Sequence, residues 1–271
     1  PRVRLCLLHE VWNCAATQMI NDIRVAFAFL TRITINHGHD LSIARSARWF
    51  PLVGAVIGGA TGIAFILLNQ VVPALPAAAI ALLLSTLITG GFHHDGLADT
   101  FDGLVGGWTP ADRLRILKDS RHGTYGVLAI VFQVAIQISL VSTLAPVHGA
   151  LALITAHTLG RLTPIYFMLA AAAPLHEGMG ASYVREVKRR DIFLATLLTI
   201  ALLVGLISIH LLFLGAIVAI GGLIFLKYVK SRIGGVVGDV LGASEQIAET
   251  LILFYFVLIS THSWGSSWLL F

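Results

Sequence analysis

Residues 76–104 read PAAAIALLLSTLITGGFHHDGLADTFDGL, and in this stretch an apolar run passes through two glycines directly into a polar segment. The first half is apolar enough to lie in a lipid bilayer, whereas the second half carries three aspartates, Asp95, Asp99 and Asp102. Their spacing of i, i+4 and i+7 places them on one face of a helix. The stretch therefore predicts a membrane-embedded helix that leads into an acidic helix at the membrane boundary.

The composition of the whole chain also indicates a membrane protein. The chain has 271 residues, of which 57% are hydrophobic and 12% are charged, with a mean hydropathy of +0.87. Because a soluble domain carries about 25% charged residues, we predict an all-α, polytopic integral membrane protein. The net charge of +4 fits basic loops on the cytoplasmic side of a membrane better than nucleic-acid binding, and we expect no nucleic-acid partner.

Seven segments are apolar and long enough to cross a bilayer core, which needs roughly 20 helical residues. They are approximately 51–72, 74–92, 125–145, 149–173, 192–209, 211–228 and 247–262. Ahead of them, the amphipathic segment 19–35 predicts an interfacial helix or a tilted extra span. Residues 1–18 show little organisation, and we expect an N-terminal extension there, outside a single membrane-embedded catalytic domain at 19–271.

The charged residues concentrate on one side of this layout. Every Lys and Arg except Arg161 lies in segments 1–48, 93–124, 174–191 or 227–246, which the seven spans place on one membrane face. By the positive-inside rule this face is cytoplasmic. The opposite connections contain no charged residue. This argues against an ion pump or channel, because transport needs polar groups along a path to the far side.

The three aspartates would repel one another on a shared helical face, and less water screens the repulsion beside a bilayer. A divalent cation is the simplest compensation, because carboxylate oxygens suit Mg²⁺ or Mn²⁺. The glycines at 90, 91 and 96 allow a close approach. The alternative is a solvated acidic loop whose carboxylates contact nothing. His93 and His94 are weaker candidates, since an interfacial histidine is more often structural.

A second motif, KDSRHGTYG at 118–126, has the composition of an anion-binding loop. It combines Asp119, Ser120 and Arg121 with two glycines. Arginine binds phosphate oxygens through two N–H groups at once, and flanking glycines let backbone N–H groups approach an anion. The alternative is a helix cap that precedes the 125–145 span.

Two further sites carry charge near or within the spans. At the start of the last span, Asp239 precedes Glu245 and Glu249, an acidic pair at i and i+4. Arg161 is the one charged residue in the middle of a predicted span. A charge inside the membrane is costly and is taken as functional by default. The alternative is a shallow arginine that reaches the interface. Together the sites predict phosphoryl or nucleotidyl transfer, in which acids hold Mg²⁺ and cations hold a diphosphate.

Four stretches resemble the motifs of one family of membrane enzymes. They are FPLVGAVIGG (50–59), TGGFHHDGLADTFDGL (89–104), KDSRHGTYG (118–126) and GDVLGASEQIAE (238–249). On these motifs the chain resembles the cobalamin synthase, or adenosylcobinamide-GDP ribazoletransferase, family from about Met19 to the last span. The resemblance implies a Mg²⁺-dependent enzyme of vitamin B12 biosynthesis in a bacterial or archaeal cytoplasmic (inner) membrane, with its catalytic loops in the cytoplasm.

The resemblance also implies a reaction. A ribose hydroxyl of α-ribazole, or of its 5′-phosphate, attacks the phosphate attached to cobinamide in adenosylcobinamide-GDP, and GMP leaves. The residues expected to hold Mg²⁺ are Asp95, Asp99, Asp102 and Asp119. The residues expected to take part in catalysis are Asp95, Asp99, Asp102 and Arg121. The residues expected to bind substrate are Asp119, Ser120, Arg161, Asp239, Glu245 and Glu249.

Two other classes of protein stay open. One is a Mg²⁺–diphosphate membrane transferase of another kind. Residues 99–103 match the D-x-x-D-G opening of CDP-alcohol phosphotransferases, but the rest of that signature is missing. The usual motifs of aspartate-rich prenyltransferases are absent from the sequence. The other is a cation or cobamide transporter, which the uncharged far side disfavours. The many glycines in the spans allow close helix packing, either within the chain or in a homo-oligomer.

Overall fold

The computed structural model describes residues 2–35, 42–119, 121–170 and 186–261, and within them the side chains of 16–35, 42–119, 121–169 and 186–261. These residues form helices with no strand among them, which confirms the all-α prediction. The helices are α1 (Arg2–Leu30), α2 (Ile43–Ser46), α3 (Phe50–Leu68), α4 (Ala74–Thr89), α5 (Phe92–Gly106), α6 (Pro110–Leu117), α7 (Thr124–Ser142), α8 (Pro146–Gly160), α9 (Thr163–Ala170), α10 (Arg189–Ile207), α11 (His210–Ile233) and α12 (Gly238–Thr261). A 3-10 turn at Ala47–Trp49 joins α2 to α3.

The polytopic architecture is confirmed, with fewer long spans than the seven expected. Within the described residues, five helical segments are long and apolar enough to cross a bilayer: α2 with α3, α7, α10, α11 and α12. Helices α4 and α5 pass the same test only together, as one element bent by 90°. The expected span at 149–173 is divided instead, because α8 ends at Gly160 and α9 begins at Thr163.

Two adjacent glycines make the 90° bend between α4 and α5. Gly90 (φ 67°) and Gly91 (φ 70°) both lie in the left-handed region, which a residue with a Cβ adopts at a cost. Their N–H groups donate to Leu87 and Thr86 and so close the end of α4. The bend therefore lets an apolar helix lead directly into the acidic helix α5.

A stripe of glycines on α3 brings α8 unusually close. A Cβ on Gly54 would overlap the carbonyl group of His157, and a Cβ on Gly58 would lie 2.7 Å from the Cα of Ile154. Gly62 continues the stripe one turn further on and is enclosed in the same way. Residues four apart share a helix face, so these glycines pack helices within the chain. The FPLVGAVIGG stretch thereby positions the polar end of α8.

Helix α12 is the most buried of the long helices and crosses α5 at a second pair of glycines. A Cβ on Gly96 of α5 would lie 2.7 Å from the carbonyl oxygen of Asp239. A Cβ on Gly242 of α12 would lie 3.3 Å from the Cα of His93. Both glycines come from motifs identified in the sequence, and they bring the acidic segments of α5 and α12 together.

Helix α1 runs without a break from Arg2 to Leu30. The division of the chain at residue 18 thus stays a prediction. Asp22 of α1 is buried and accepts hydrogen bonds from Arg45 (2.8 Å) and Arg48 (2.9 Å). These ion pairs join α1 to the segment that begins the first long span.

Candidate active site

The open part of the site is an acidic cluster formed by Asp95, Asp99 and His122. One ligand atom from each residue lies within 4.8 Å of the others. His122 Nε2 is 3.8 Å from Asp95 Oδ1, and His122 Nδ1 is 3.5 Å from Asp99 Oδ1. Asp95 and His122 are exposed and Asp99 is half-buried. Carboxylate oxygens on an open surface fit Mg²⁺, which keeps several waters and binds substrate phosphates alongside one or two carboxylates.

Asp102 lies on the same helix but faces the loop that precedes α7. Its side chain is buried, and its carboxylate accepts hydrogen bonds from the backbone N–H groups of Gly123 (2.7 Å) and Gly126 (2.8 Å). A Cβ on either glycine would crowd this carboxylate. Asp102 therefore holds the loop that carries His122 against α5. Its expected role as a magnesium ligand stays a prediction.

Asp119 and Arg121 form an exposed pair beside the cluster. Arg121 donates to Asp119 from Nε (3.0 Å) and Nη2 (2.8 Å), and these hydrogen bonds lower the pKa of Asp119 to about 2. Surface pairs of this kind contribute little stability, so Arg121 is free to exchange its partner for an anionic substrate. The structure does not bring Asp119 into the acidic cluster, and its role as a metal ligand stays a prediction. Ser120 lies outside the described residues.

The enclosed part of the site is a buried ion network formed by His157, Arg161, Glu245 and Glu249. Arg161 Nη1 lies 2.9 Å from Glu245 Oε1 and 3.0 Å from Glu249 Oε1. His157 Nδ1 lies 2.5 Å from Glu249 Oε1. Arg161 is only 2% exposed, so it does not reach the interface as the alternative interpretation required.

The network is costly to bury, because two carboxylates face one guanidinium where little water reaches them. Removing one member would leave a buried charge without its partner, which is far more costly than the intact network. Three of the four residues were expected to bind substrate; the structure places them together inside the bundle.

Helix α5 connects the open and enclosed parts of the site. His93 is buried, and its Nδ1 lies 3.5 Å from Glu245 Oε2. Asp95, two residues later, belongs to the acidic cluster. Asp239 stands in the first turn of α12, where its backbone carbonyl oxygen packs against Gly96 of α5. The residues expected on α5 and α12 thus form one continuous polar region.

Two histidines at the site were missed by the sequence analysis. His122 lies within the KDSRHGTYG motif, and its spacing gives no sign that the loop folds back onto α5. His157 lies four residues before Arg161, so the two share a helix face. That spacing was the one available signal for His157.

The family of the chain follows from its similarity to known proteins. A family model described as cobalamin-5-phosphate synthase matches residues 22–257. The chain belongs to the cobalamin-5-phosphate synthase family. Within it, the chain is similar to curated proteins named adenosylcobinamide-GDP ribazoletransferase. The relative from Shewanella baltica (strain OS185) is 36% identical, with 92% of this chain and 96% of the relative covered.

Two further relatives with the same name agree. The one from Shewanella piezotolerans is 36% identical over 93% of this chain and 98% of its own length. The one from Shewanella halifaxensis is 35% identical over 94% of this chain and 100% of its own length. No solved structure matches the chain. The four stretches that carried the resemblance to this family all pack at or against the site described above.

Proposed function

We propose that this member of the cobalamin-5-phosphate synthase family is an adenosylcobinamide-GDP ribazoletransferase. It joins adenosylcobinamide-GDP to α-ribazole or α-ribazole 5′-phosphate and releases GMP. The observation that carries the proposal is the acidic cluster of Asp95, Asp99 and His122 beside the exposed Arg121. Acids that can hold a divalent cation and an arginine that can bind phosphate oxygens suit transfer at a diphosphate, and the relatives of the chain bear that name.

The reaction exchanges one phosphorus–oxygen bond for another. A ribose hydroxyl oxygen of the acceptor forms a bond to the phosphorus attached to cobinamide. The bond from that phosphorus to the bridging oxygen of the diphosphate breaks, and this oxygen leaves with GMP. The hydroxyl proton passes to a base. The candidates are the second carboxylate oxygen of Asp99 and the second ring nitrogen of His122, because each residue offers only one atom to the metal and both lie in the part of the site that is open to substrate.

The side chains around the cluster have distinct tasks in this scheme. Asp95, Asp99 and His122 would hold Mg²⁺, which neutralises diphosphate oxygens when it is bound. Asp102 keeps the loop in place through Gly123 and Gly126. Arg121 exchanges Asp119 for a phosphate oxygen and neutralises the leaving group.

The distribution of charge supports a cytoplasmic site in the cytoplasmic membrane of the cell. The loop at 118–126 carries Lys118 and Arg121, and α11 ends with Lys230 and Arg232 just before α12 begins. Basic residues next to spans are retained on the cytoplasmic side. Both substrates are water-soluble and would approach from that side.

The test is GMP release by the purified protein in detergent or liposomes. The assay contains adenosylcobinamide-GDP and α-ribazole 5′-phosphate, and each component and Mg²⁺ are omitted in turn. We expect release only when both substrates and the metal are present. Release that is independent of the acceptor, or none from well-folded protein, would overturn the proposal.

Variants connect the activity to the cluster. Asp99→Asn should lower kcat at least about 100-fold, the range typical for loss of a general base. Asp112→Asn is the matched control, because Asp112 is an acid of α6 that caps its own helix through Thr109 and lies outside the cluster. Full activity of Asp99→Asn would refute the roles assigned to Asp99 but not the proposed overall reaction.

A further inference from the structure

A cavity of about 220 Å³ lies between α4, α5, α7, α8 and α12, beside the buried ion network. Its walls differ in chemistry. Leu82 and Leu83 of α4 and Val134 of α7 form an apolar wall, whereas His94 of α5 and His157 of α8 belong to a polar wall. A cavity with one apolar and one polar wall suits a ligand with both characters.

The polar wall contains nitrogens that lack a partner. Among the described residues, His94 Nδ1, His157 Nε2 and Arg161 Nε make no hydrogen bond. His157 is 4% exposed and Arg161 is 2% exposed, so their nitrogens are withdrawn from bulk water. Buried polar atoms in native proteins are nearly always hydrogen-bonded. These atoms are therefore available to hydrogen-bond a polar ligand in the cavity.

Charge and size narrow the choice of occupant. Arg161 is already paired with Glu245 and Glu249, so an anionic phosphate would meet carboxylates instead of an uncompensated cation. The volume of about 220 Å³ lies below the roughly 300–1,000 Å³ of pockets for drug-sized ligands, so the cavity matches a single ring system better than a complete nucleotide or a corrinoid. A neutral, flat ring system with one or two ring nitrogens satisfies both limits.

The cavity adjoins the acidic cluster through consecutive residues of α5. His94 lines the cavity, and Asp95 belongs to the cluster. A ring bound in the cavity would thus direct an attached ribose toward the cluster. We propose that the cavity binds the heteroaromatic base of a substrate nucleoside, with its ring against the apolar wall and the ring nitrogen that does not carry the ribose toward His94 or His157.

Two substrates of the proposed function, on which this inference rests, carry such a base. Ribazole carries a dimethylated benzimidazole, and the donor carries guanine. The leucines and Val134 favour benzimidazole, because its methyl groups need no hydrogen-bond partners, whereas the exocyclic amine and carbonyl of guanine do. The cavity is therefore assigned to the base of the acceptor.

Binding can be measured without turnover, with 5,6-dimethylbenzimidazole and guanosine as probes in saturation-transfer NMR of the protein in detergent. Val134→Phe fills the cavity, and Val131→Phe is its matched control on the same helix, because Val131 is 56% exposed and does not line the cavity. We expect dimethylbenzimidazole to bind wild type and Val131→Phe alike, and at least tenfold more weakly to Val134→Phe. Ala79→Leu fills the cavity from α4 and serves if Val134→Phe does not fold.

Kinetics separate the two bases. Val134→Phe should raise the KM for α-ribazole at least tenfold. The kcat of the reaction and the KM for adenosylcobinamide-GDP should stay unchanged. A rise in KM for the donor, together with loss of guanosine binding, would overturn the acceptor assignment in favour of guanine. If the filled variants bind both probes as wild type does, the base site itself is refuted. Base binding without GMP release would refute the proposed function alone.

Discussion

Changing Asp102 to Asn should release the loop that carries His122 from α5. The Asp102 carboxylate accepts N–H groups from Gly123 at 2.7 Å and Gly126 at 2.8 Å. Asparagine offers a single acceptor oxygen and turns an NH₂ group toward the second N–H. A hydrogen bond to a charged group contributes about 1.5–3 kcal/mol. Loss of one such bond therefore raises the open population of the loop roughly 10- to 100-fold.

Trypsin cleavage after Arg121 measures this population, because cleavage of a transiently opened segment follows the equilibrium between closed and open forms when opening is fast. We expect Asp102→Asn to be cleaved there roughly 10- to 100-fold faster than wild type. Asp112→Asn removes a carboxylate that accepts hydrogen bonds from Thr109 and not from the loop, and it should be cleaved at the wild-type rate. Equal rates for Asp102→Asn and wild type would refute the reasoning.

Three further predictions concern packing, burial and pH. Gly58→Ala should destabilise the α3–α8 contact by about 1–3 kcal/mol, because its Cβ would lie 2.7 Å from the α8 backbone. The Cβ of Gly59→Ala meets nothing within 4 Å, so this control should leave the melting temperature in detergent unchanged or slightly higher. Equal destabilisation of both variants would contradict the packing argument. Arg161→Met leaves two carboxylates buried without their cation. It should lower the free energy of unfolding by about 3–5 kcal/mol and the melting temperature with it. An unchanged melting temperature would show that Arg161 does not stabilise these carboxylates as ions. The hydrogen bonds from Arg121 keep the pKa of Asp119 at about 2, so the Asp119–Arg121 ion pair is lost only as the pH falls through that value. Asp119→Asn should therefore keep the shape of the pH–rate profile between pH 5 and 9. A displaced limb of the profile would show that Asp119 titrates in this range.

The sequence predicted the parts of the fold that depend on local composition. The apolar run before Gly90 and the acidic helix after Gly91 both form as expected, because helix periodicity and glycine conformations are local properties. The count of spans was less predictable. The α8–α9 break at Arg161 interrupts a run that is apolar on both sides, and Gly160 and Pro164, which flank the break, were the local signals for it.

The site was predictable where neighbouring residues on one helix share a face, as Asp95 and Asp99 do. Asp102 satisfies the same spacing but turns toward backbone donors from a loop 21 residues later in the chain, which helical periodicity cannot reveal. His122 enters the cluster for the same reason. The pairing of Arg161 with Glu245 and Glu249 joins residues more than 80 apart and depends on how α8 and α12 pack.

The most direct test of the central claim is Mn²⁺ binding, measured by electron paramagnetic resonance on the purified protein with Mn²⁺ as a substitute for Mg²⁺. The account predicts that wild type and Asp112→Asn bind Mn²⁺ alike, and that Asp99→Asn binds it at least tenfold more weakly because one of the two carboxylates of the cluster is lost. Unchanged Mn²⁺ affinity in Asp99→Asn would contradict a metal site formed by Asp95, Asp99 and His122.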